Sequence, residues 1–142
     1  MMNEQVRRIM TTNPKVVNPS HSIDELTNLM ETERLNQLPV VEEGKLVGWI
    51  TTYDLWRWQK ENKDQVLTGK TVSDLMTRNV IKITPLDKVG TAAELFMDKR
   101  FKSLPVVNLE NELKGVVTSF DVLRHVLTEE YPRPILYQEV FE

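Results

Sequence analysis

Two threonine–aspartate pairs with the same spacing are the residues of this chain best suited to hold a small molecule. Thr51 precedes Asp54 by three positions, and Thr118 precedes Asp121 in the same way. An aspartate carboxylate accepts strong charge-assisted hydrogen bonds, and a helix N-terminus offers free N–H groups and the positive end of its dipole. The same spacing also forms a helix capping box, so a purely structural role is equally open.

An arginine follows each aspartate by about one helical turn. Arg57 and Arg124 would add positive charge at the same place if their side chains turn towards a ligand. No nucleophile–base set, metal-ligand cluster or glycine-rich phosphate loop of the P-loop type accompanies these residues. The chain has no Cys, and its two His residues cannot alone furnish a zinc site. We therefore predict no catalytic residue, no metal site and no enzymatic activity.

The composition is that of a globular protein with mixed charges. The 142 residues carry a formal net charge of −3 and fit one compact domain or two small units that share a core. Basic residues form no run that would neutralise a phosphate backbone, so we expect no nucleic-acid partner. No stretch reaches the roughly 18 apolar residues of a membrane span, and the N-terminus lacks the apolar region of a signal peptide. We expect no membrane insertion and a cytoplasmic location.

An internal repeat organises the chain. The stretch Val6–Val41 aligns without a gap to Val72–Val107, and Leu46–Arg57 aligns to Leu113–Arg124 after one inserted residue. Both copies contain Met-Thr, Leu-Pro-Val-Val and Gly-x-x-Thr-x-x-Asp, and self-similarity of this kind indicates a duplicated structural unit. The predicted boundaries are 1–66 for the first repeat with its N-terminal segment, 67–130 for the second repeat and 131–142 for a C-terminal tail.

Each repeat has the pattern of a βαββα unit. The first strands are predicted at Lys15–Asn18 and Val80–Thr84, where β-branched runs stop at a proline. A helix, a hairpin of two apolar strands and a second helix follow, and the second helix begins at the threonine–aspartate pair. The predicted fold class is α/β (α+β). Because one such unit buries little apolar surface, we expect the two units to pack sheet to sheet with pseudo-twofold symmetry and two near-equivalent sites.

The repeated motifs resemble those of the CBS domain (cystathionine β-synthase domain) family, whose tandem pairs are called Bateman modules. The resemblance extends from Val6 to about Glu129. It rests on Met-Thr before the first strand, Leu-Pro-Val-Val on the second, and Gly-x-x-Thr-x-x-Asp at the start of the last helix. The ligand that it implies is an adenosine nucleotide such as AMP, ADP or ATP, with S-adenosylmethionine or NAD as further candidates. Such a compound would be a regulatory ligand and not a catalytic cofactor.

The resemblance also implies a role for each site residue. Asp54 and Asp121 would bind the ribose hydroxyls, and Thr51 and Thr118 would bind phosphate. The adenine beside one aspartate would be held by the other repeat. For Asp54 the implied adenine-contacting residues are Asn79, Val80, Ile81, Lys102 and Ser103. For Asp121 they are Asn13, Pro14, Lys15, Asn36 and Gln37.

The implied function is allosteric sensing, in which nucleotide binding changes how the module associates with itself or with a separate regulated enzyme or transporter. The resemblance further implies a homodimer joined through helical faces. Trp49, Trp56 and Trp58 are expected to be core or interface anchors. The alternative is a protein-interaction or dimerisation module whose nucleotide sites are vestigial.

Overall fold

The computed structural model describes residues 1–63, 65–99 and 101–131, and their mixture of helices and strands confirms the predicted fold class. In chain order the elements are a 3₁₀ turn at Val6–Arg8, α1 Ile23–Glu33, β1 Gln37–Glu42, β2 Lys45–Thr51, α2 Thr52–Glu61, α3 Val72–Leu75, α4 Val89–Lys99, β3 Ser103–Val107, β4 Leu113–Thr118 and α5 Ser119–Glu130. None of these helices is long and apolar enough to cross a membrane. The predicted tail at 131–142 lies outside the described residues from position 132 on.

Each repeat contributes one two-stranded antiparallel sheet, as the hairpin pattern predicts. β1 pairs with β2, and β3 pairs with β4. In the first hairpin the pairing runs from Gln37 opposite Thr51 to Glu42 opposite Lys45. The two residues of the turn between them, Glu43 and Gly44, both have positive φ angles of 52° and 80°, as a tight hairpin turn requires.

The strand predicted at Lys15–Asn18 is wrong, because that segment forms a single parallel bridge to β1 instead of a strand. The N–H of Val17 donates to the carbonyl of Pro39 at 3.1 Å, and the N–H of Val41 donates to the carbonyl of Val17 at 2.8 Å. The next hydrogen bonds of a parallel ladder would need the N–H of Pro39 on one side and of Pro19 on the other. Proline has no N–H, so the ladder stops after one residue.

The second repeat also has a single parallel bridge where a first strand was predicted. The predicted strand Val80–Thr84 is reduced to a bridge from Ile83, whose N–H donates to the carbonyl of Pro105 at 3.1 Å. The carbonyl of Ile83 accepts from Val107 at 2.8 Å. Pro105 and Pro85 occupy the two positions at which a longer ladder would need a donor.

The chain divides into two spatial units, and each takes a segment from the other repeat. The first-hairpin unit consists of Pro14–Ile81 and Glu110–Leu113. The second-hairpin unit consists of Met1–Asn13, Lys82–Leu109 and the described residues from Lys114 on. The boundaries predicted at 66 and 130 divide the sequence repeats, and they stay a prediction. The spatial units begin and end at other residues.

Each unit has its own hydrophobic core, and the exchanged segments supply part of it. The core of the first-hairpin unit contains Val17, Ile23, Leu26, Met30, Leu38, Val40, Ile50, Val72, Leu75 and Met76. The core of the second-hairpin unit contains Val6, Ile83, Val89, Ala92, Phe96, Leu104, Val106, Val117 and Val122. Val72 of the second repeat is completely buried in the first-hairpin unit, and Val6 of the first repeat is completely buried in the second-hairpin unit.

The Met-Thr segment of one repeat lies directly on the motif glycine of the other. Thr77 and Trp49 exchange backbone hydrogen bonds of 2.8 and 2.9 Å. A Cβ atom on Gly48 would lie 2.6 Å from the Sδ of Met76 and 2.9 Å from the carbonyl oxygen of Thr77. The motif therefore requires glycine at this position because the backbone of the crossing segment leaves no room for a side chain.

The second hairpin has the same arrangement. Thr11 and Val116 exchange backbone hydrogen bonds, and a Cβ atom on Gly115 would lie 2.6 Å from the carbonyl oxygen of Thr11. The Sδ of Met10 would be 3.0 Å from the same atom. Met-Thr and the motif glycine thus occur together because they are in contact across the repeats.

Candidate ligand-binding site

Both threonine–aspartate pairs form complete capping boxes where a hairpin strand runs directly into a helix. The N–H of Thr51 donates to Oδ2 of Asp54 at 2.9 Å, and the N–H of Asp54 donates to the hydroxyl of Thr51 at 3.1 Å. The corresponding distances for Thr118 and Asp121 are 2.8 and 3.0 Å. The structural role of these pairs is therefore established, and it occupies one oxygen, Oδ2, of each carboxylate.

Burial distinguishes the two motif aspartates from an ordinary helix cap. Asp54 is 7% exposed and Asp121 is 5% exposed, and among the described residues these two are the buried charged side chains. Removing a carboxylate from water is costly unless hydrogen bonds or an opposite charge compensate it. The capping N–H groups donate to Oδ2 of each carboxylate, and Oδ1 needs a second source of positive charge or hydrogen bonds.

The arginine three residues after each aspartate places its positive charge near Oδ1, but at different distances in the two repeats. The Nη2 atom of Arg124 lies 3.0 Å from Oδ1 of Asp121 and forms a hydrogen bond. The Nη2 atom of Arg57 lies 3.7 Å from Oδ1 of Asp54, which is an ion-pair distance beyond hydrogen-bonding range. Both arginines, singled out in the sequence for their charge, thus face their aspartate.

Sequence reasoning did not single out the aromatic residue that precedes each arginine by four positions. The guanidinium of Arg57 lies over the ring of Tyr53 at 5.7 Å, and that of Arg124 lies over Phe120 at 5.3 Å. Positions i and i+4 are neighbours on a helix surface, so this pairing was detectable from the sequence. The aromatic rings limit where each guanidinium can move.

The residues just before β1 and β3 lie against the motif helices of their own repeats. The N–H of Thr52 donates to the carbonyl of Asn36 at 2.9 Å, and the N–H of Ser119 donates to the carbonyl of Lys102 at 3.0 Å. These hydrogen bonds satisfy N–H groups at the first turns of α2 and α5. Asn36 and Lys102 are therefore close to the motif of their own copy.

Four of the ten predicted adenine-contacting residues fall in the same spatial unit as the aspartate to which they were assigned, and the other six fall in the other unit. The first-hairpin unit contains Pro14, Lys15, Asn36, Gln37, Thr51, Asp54, Arg57, Asn79, Val80 and Ile81. The second-hairpin unit contains Asn13, Lys102, Ser103, Thr118, Asp121 and Arg124. Asn79–Ile81, which are predicted to contact adenine beside Asp54, lie in the same unit as Asp54. Asn13, which is predicted to contact adenine beside Asp121, lies in the same unit as Asp121. Pairings that join the two units stay predictions.

Two of the predicted adenine-contacting side chains, those of Gln37 and Lys15, already have partners. The Oε1 atom of Gln37 accepts a hydrogen bond of 3.1 Å from the indole N–H of Trp49. Lys15 forms an exposed ion pair with Glu33 at 3.9 Å. Asn79 and Ile81 are exposed, so their side chains and backbone are accessible to a ligand.

A third Thr-x-x-Asp pair, at the start of α3, has the same cap without the burial. The N–H of Thr71 donates to Oδ2 of Asp74 at 2.9 Å, and the Thr71 hydroxyl donates to the same oxygen at 3.2 Å. The hydrogen bond from the Thr71 backbone holds the pKa of the Asp74 carboxyl below its ordinary value. Asp74 is exposed, which makes it an internal example of capping alone.

The family model for the CBS domain matches residues 6–55 and 72–128, which cover both repeats. The chain belongs to the CBS domain family. Its curated relatives include the CBS domain-containing protein CBSX2 of Arabidopsis thaliana, 30% identical over 141 residues, with 81% of this chain and 59% of that protein covered. The inosine-5'-monophosphate dehydrogenase of Methanocaldococcus jannaschii is 36% identical over 118 residues, with 82% of this chain and 22% of the enzyme covered. The chain thus spans less than two thirds of the length of either relative.

Solved structures of CBS pairs have the same fold. CBSX2 in complex with AMP matches with a TM-score of 0.78 and 32% identity over 89% of this chain and 98% of that one. The CBS domain pair of protein MJ0100, in complex with 5'-methylthioadenosine and S-adenosyl-L-methionine, matches with a TM-score of 0.73 and 32% identity over 89% and 98%. Protein MJ1225 of Methanocaldococcus jannaschii matches with a TM-score of 0.81 and 28% identity over 88% of this chain and 48% of that one. This chain is therefore a CBS pair related to proteins that bind adenosine compounds.

Proposed function

We propose that this chain is a non-catalytic regulatory module that binds an adenosine-containing ligand through Asp54 and Asp121. The observation that carries the proposal is the burial of these two carboxylates, each with Oδ2 engaged by the cap and Oδ1 facing an arginine. A carboxylate in this setting can accept hydrogen bonds from a ribose diol.

The ligands of the related CBS pairs support the choice of ligand class. AMP, 5'-methylthioadenosine and S-adenosyl-L-methionine share an adenine and a ribose diol and differ in what the 5' carbon carries. The ribose diol, which all three compounds share, is the group that we propose the buried aspartates bind. We propose the adenosine moiety as the shared determinant and AMP, ADP, ATP or S-adenosylmethionine as the candidate ligands, with NAD as a further one.

We propose a regulatory role and no enzymatic activity. The region shared with the dehydrogenase of Methanocaldococcus jannaschii is 22% of that enzyme, so the CBS pair is a minor part of it. Within residues 1–63, 65–99 and 101–131, no group of three His, Cys, Asp or Glu side chains is placed to hold a metal ion. The output would then be exerted on a separate enzyme or transporter.

We further propose that the module acts in the cytoplasm as a homodimer joined through the exposed faces of its motif helices. Tyr53 and Trp56 on α2 are 58% and 56% exposed, and Phe120 and Leu123 on α5 are 63% and 62% exposed. Large apolar side chains at equivalent positions of both copies form the type of surface that a partner covers. Isologous contact with a second copy is the commonest arrangement in homo-oligomers.

A module with vestigial sites is the second candidate, and one observation favours it. The capping boxes are complete and each Oδ1 already faces an arginine, so both aspartates have a structural reason to be present. In that case the chain would act only through its protein contacts.

Titration with nucleotides distinguishes these two functions. A ligand that binds only the native state stabilises it by about 2.7 kcal/mol at a hundredfold excess over Kd, which is seen as a higher melting temperature. We expect AMP, ADP, ATP or S-adenosylmethionine to raise the melting temperature more than GTP does. If no adenosine compound does so at millimolar concentration, the proposal is rejected in favour of vestigial sites.

Aspartate variants then test the assignment of the site. Replacing Asp54 or Asp121 by Asn removes a charged acceptor for two hydroxyls and should weaken binding by about 1.5–3 kcal/mol, tenfold to over a hundredfold in Kd. Asp74→Asn is the matched control, because Asp74 has the same capping geometry but is exposed. Isothermal titration that gives native affinity and stoichiometry in both Asp54→Asn and Asp121→Asn would remove these carboxylates from the site. Mass spectrometry of compounds released from gently purified protein would identify the ligand.

A further inference from the structure

The first turn of α4 is closed by a segment from outside the helix. The N–H of Val89 donates to the carbonyl of Glu4 at 2.7 Å, and the N–H of Gly90 donates to the carbonyl of Met2 at 2.9 Å. The first N–H groups of a helix have no partner within the helix, so they need an acceptor from elsewhere. We refer to Met1–Gln5, which supplies both acceptors, as the N-terminal strap.

The equivalent helix of the first repeat is capped in a different way. At α1 the hydroxyl of Ser22 accepts the N–H of Glu25 at 3.1 Å, as a serine N-cap does. The position equivalent to Ser22 in the second repeat is Lys88, whose side chain has no acceptor atom. The backbone carbonyl of Lys88 accepts instead from the N–H of Thr91 at 2.9 Å. The start of α4 is therefore satisfied by backbone carbonyls, two of which belong to the strap.

A glycine near the start of α4 lets the strap come close. A Cβ atom on Gly90 would lie 3.3 Å from the carbonyl oxygen of Met2 and 3.4 Å from its Cβ atom. Glycine is the least favourable residue inside a helix after proline, and the equivalent residue in α1 is Asp24. The second repeat thus differs from the first at two neighbouring positions, Lys88 and Gly90, and both differences fit the presence of the strap.

The two ends of the strap are held to different degrees. The Nε2 atom of His125 on α5 lies 2.8 Å from the carbonyl oxygen of Met1, a hydrogen bond in which the imidazole is the donor. Met1 and Met2 are 50% and 37% exposed, whereas Val6, directly after the strap, is completely buried. Segments with few buried contacts open at a lower free energy than the core beside them. A hinge just before Val6 would let the strap detach while the core stays folded.

We propose that the N-terminal strap is a detachable cap of α4, which opens and closes while the rest of the second-hairpin unit stays folded, with His125 as its latch. In the closed state the first turn of α4 is capped. In the open state the N–H groups of Val89 and Gly90 lose their acceptors. Conditions that hold the strap open would loosen the start of α4 in the second repeat alone, because α1 has its own cap at Ser22.

Amide hydrogen exchange, measured residue by residue in the full chain and in a variant that lacks residues 1–4, tests the inference. We expect the deletion to speed exchange at Val89 and Gly90 at least tenfold, because each N–H loses its hydrogen-bond acceptor. Glu25 in α1 is the internal control, and its exchange should not change. His125→Phe keeps an aromatic ring but removes the donor, and it should speed exchange at Gly90 about two- to tenfold.

Two substitutions in α4, each made with and without the strap, provide a second measurement. Without the strap, Gly90→Ala and Lys88→Ser should both raise the melting temperature, because alanine favours a helix and serine supplies an N-cap. In the full chain both increases should be smaller. There the new Cβ at position 90 meets the carbonyl of Met2, and the strap already satisfies the first N–H groups of the helix.

Three outcomes would overturn the inference. Unchanged exchange at Val89 and Gly90 in the deletion variant would show that the strap does not cap α4. A deletion variant that does not fold, or whose exchange rises equally at the core residues Val106 and Val117, would show that the strap is part of the global fold and does not detach from it. Equal increases in melting temperature from Gly90→Ala with and without the strap would show that the strap does not press on this glycine.

Discussion

Thr11 and Val116 exchange two backbone hydrogen bonds, of 2.8 and 3.0 Å, although they belong to different sequence repeats. Thr77 and Trp49 do the same in the other hairpin, with distances of 2.8 and 2.9 Å. The segment that opens each repeat is therefore hydrogen-bonded to the hairpin of the other repeat. The two repeats cannot be separated at their sequence boundary without leaving both hairpins incomplete.

We expect the fragments 1–66 and 67–142 to lack a cooperative thermal transition when each is made alone. The first loses Val72, Leu75 and Met76 from its core, and the second loses Val6. Burial of each such side chain contributes about 1.5–3 kcal/mol, a large part of the 5–15 kcal/mol that stabilises a typical domain. Circular dichroism melts provide the measurement.

The fragment 14–81 is the control, because it is similar in length to 1–66 but keeps the exchanged core residues. It should contain more native helix than 1–66 and lose it at a higher temperature. A fragment 1–66 that melts as cooperatively as the full chain would contradict the exchange of segments.

Alanine at the motif glycines should destabilise the protein, and more so in the second repeat. At Gly115 the nearest atom to a new Cβ is the backbone carbonyl oxygen of Thr11 at 2.6 Å, which cannot move alone. At Gly48 the nearest atom is the Sδ of Met76, a flexible side chain, followed by Thr77 O at 2.9 Å. Overpacking of this kind costs about 1–3 kcal/mol, so we expect Gly115→Ala near the upper end and Gly48→Ala below it in urea unfolding. Equal midpoints for both variants and the native protein would refute the close approach.

Asparagine at position 121 should reduce the stability of the protein more than asparagine at position 54. If the side-chain oxygen of the new asparagine accepts from the N–H of Thr118, its NH₂ group faces the guanidinium of Arg124. Both groups are hydrogen-bond donors, so neither can accept from the other. An unsatisfied buried polar group costs about 1–3 kcal/mol. At Asp54 the guanidinium of Arg57 is 3.7 Å away, so the cost is smaller. Chemical unfolding without ligand measures both, and the reverse order of stabilities would contradict the observed arginine geometry.

The exposed cap at Asp74 should make stability depend on pH in the acid range. The hydrogen bond from the Thr71 backbone lowers the pKa of Asp74 in the folded protein from its ordinary value of 3.8. A carboxylate whose pKa is lower in the folded protein stabilises the fold fully when the pH is above its pKa in the unfolded chain. This stabilisation is lost as the pH falls through its pKa in the folded protein. Asp74→Asn should therefore flatten the decrease in unfolding free energy below about pH 4 and have a constant small effect near pH 7. A variant with the native acid dependence would show that this cap is not a titrating contributor.

Charge introduced on the exposed helical faces should convert the proposed homodimer to a monomer. Trp56→Glu and Phe120→Glu place a carboxylate where we propose that an apolar face is covered, and burying an unpaired charge opposes association. Met97→Glu is the control, because Met97 is an exposed apolar residue of α4, at 83% exposure, outside these faces. Light scattering at tens of micromolar should show a dimer for the native chain and Met97→Glu. A native chain that is monomeric with and without nucleotide would contradict the proposed homodimer.

The sequence predicted the elements whose determinants are local. In each repeat the predicted order of a helix, a two-stranded hairpin and a second helix that begins at the threonine–aspartate pair matches the observed elements. The first strands were predicted but do not form, because Pro39 and Pro105 in the distant partner segments have no N–H group to extend the ladder beyond one residue. The exchange of Met-Thr segments was also not predictable, since a backbone hydrogen bond between Thr11 and Val116 leaves no pattern in either segment.

The candidate site shows the same division. The spacing of Thr51 with Asp54 and of Thr118 with Asp121 was enough to predict a capping box, because the motif lies within one helical turn. The burial of the aspartates and the unequal distances to Arg57 and Arg124 depend on tertiary packing, which spacing does not encode. Residues from separate segments, such as Lys102 and Asn79, stay predicted adenine contacts.

The parallel bridges at Val17 and Ile83, each limited to one residue by prolines, attach the segments before them to the hairpins. Val17 and Ile83 each join their hairpin by two backbone hydrogen bonds, and each bond contributes only about 0.5–1.5 kcal/mol net. Val17 and Ile83 are also core residues, so local opening at these points exposes apolar surface in addition to breaking the hydrogen bonds. The segments predicted to contact adenine, Asn13–Lys15 and Asn79–Ile81, come immediately before the two bridges. If adenine contacts these segments as predicted, it adds contacts next to both bridges, and we expect amide hydrogen exchange at Val17 and Ile83 to slow as the sites fill.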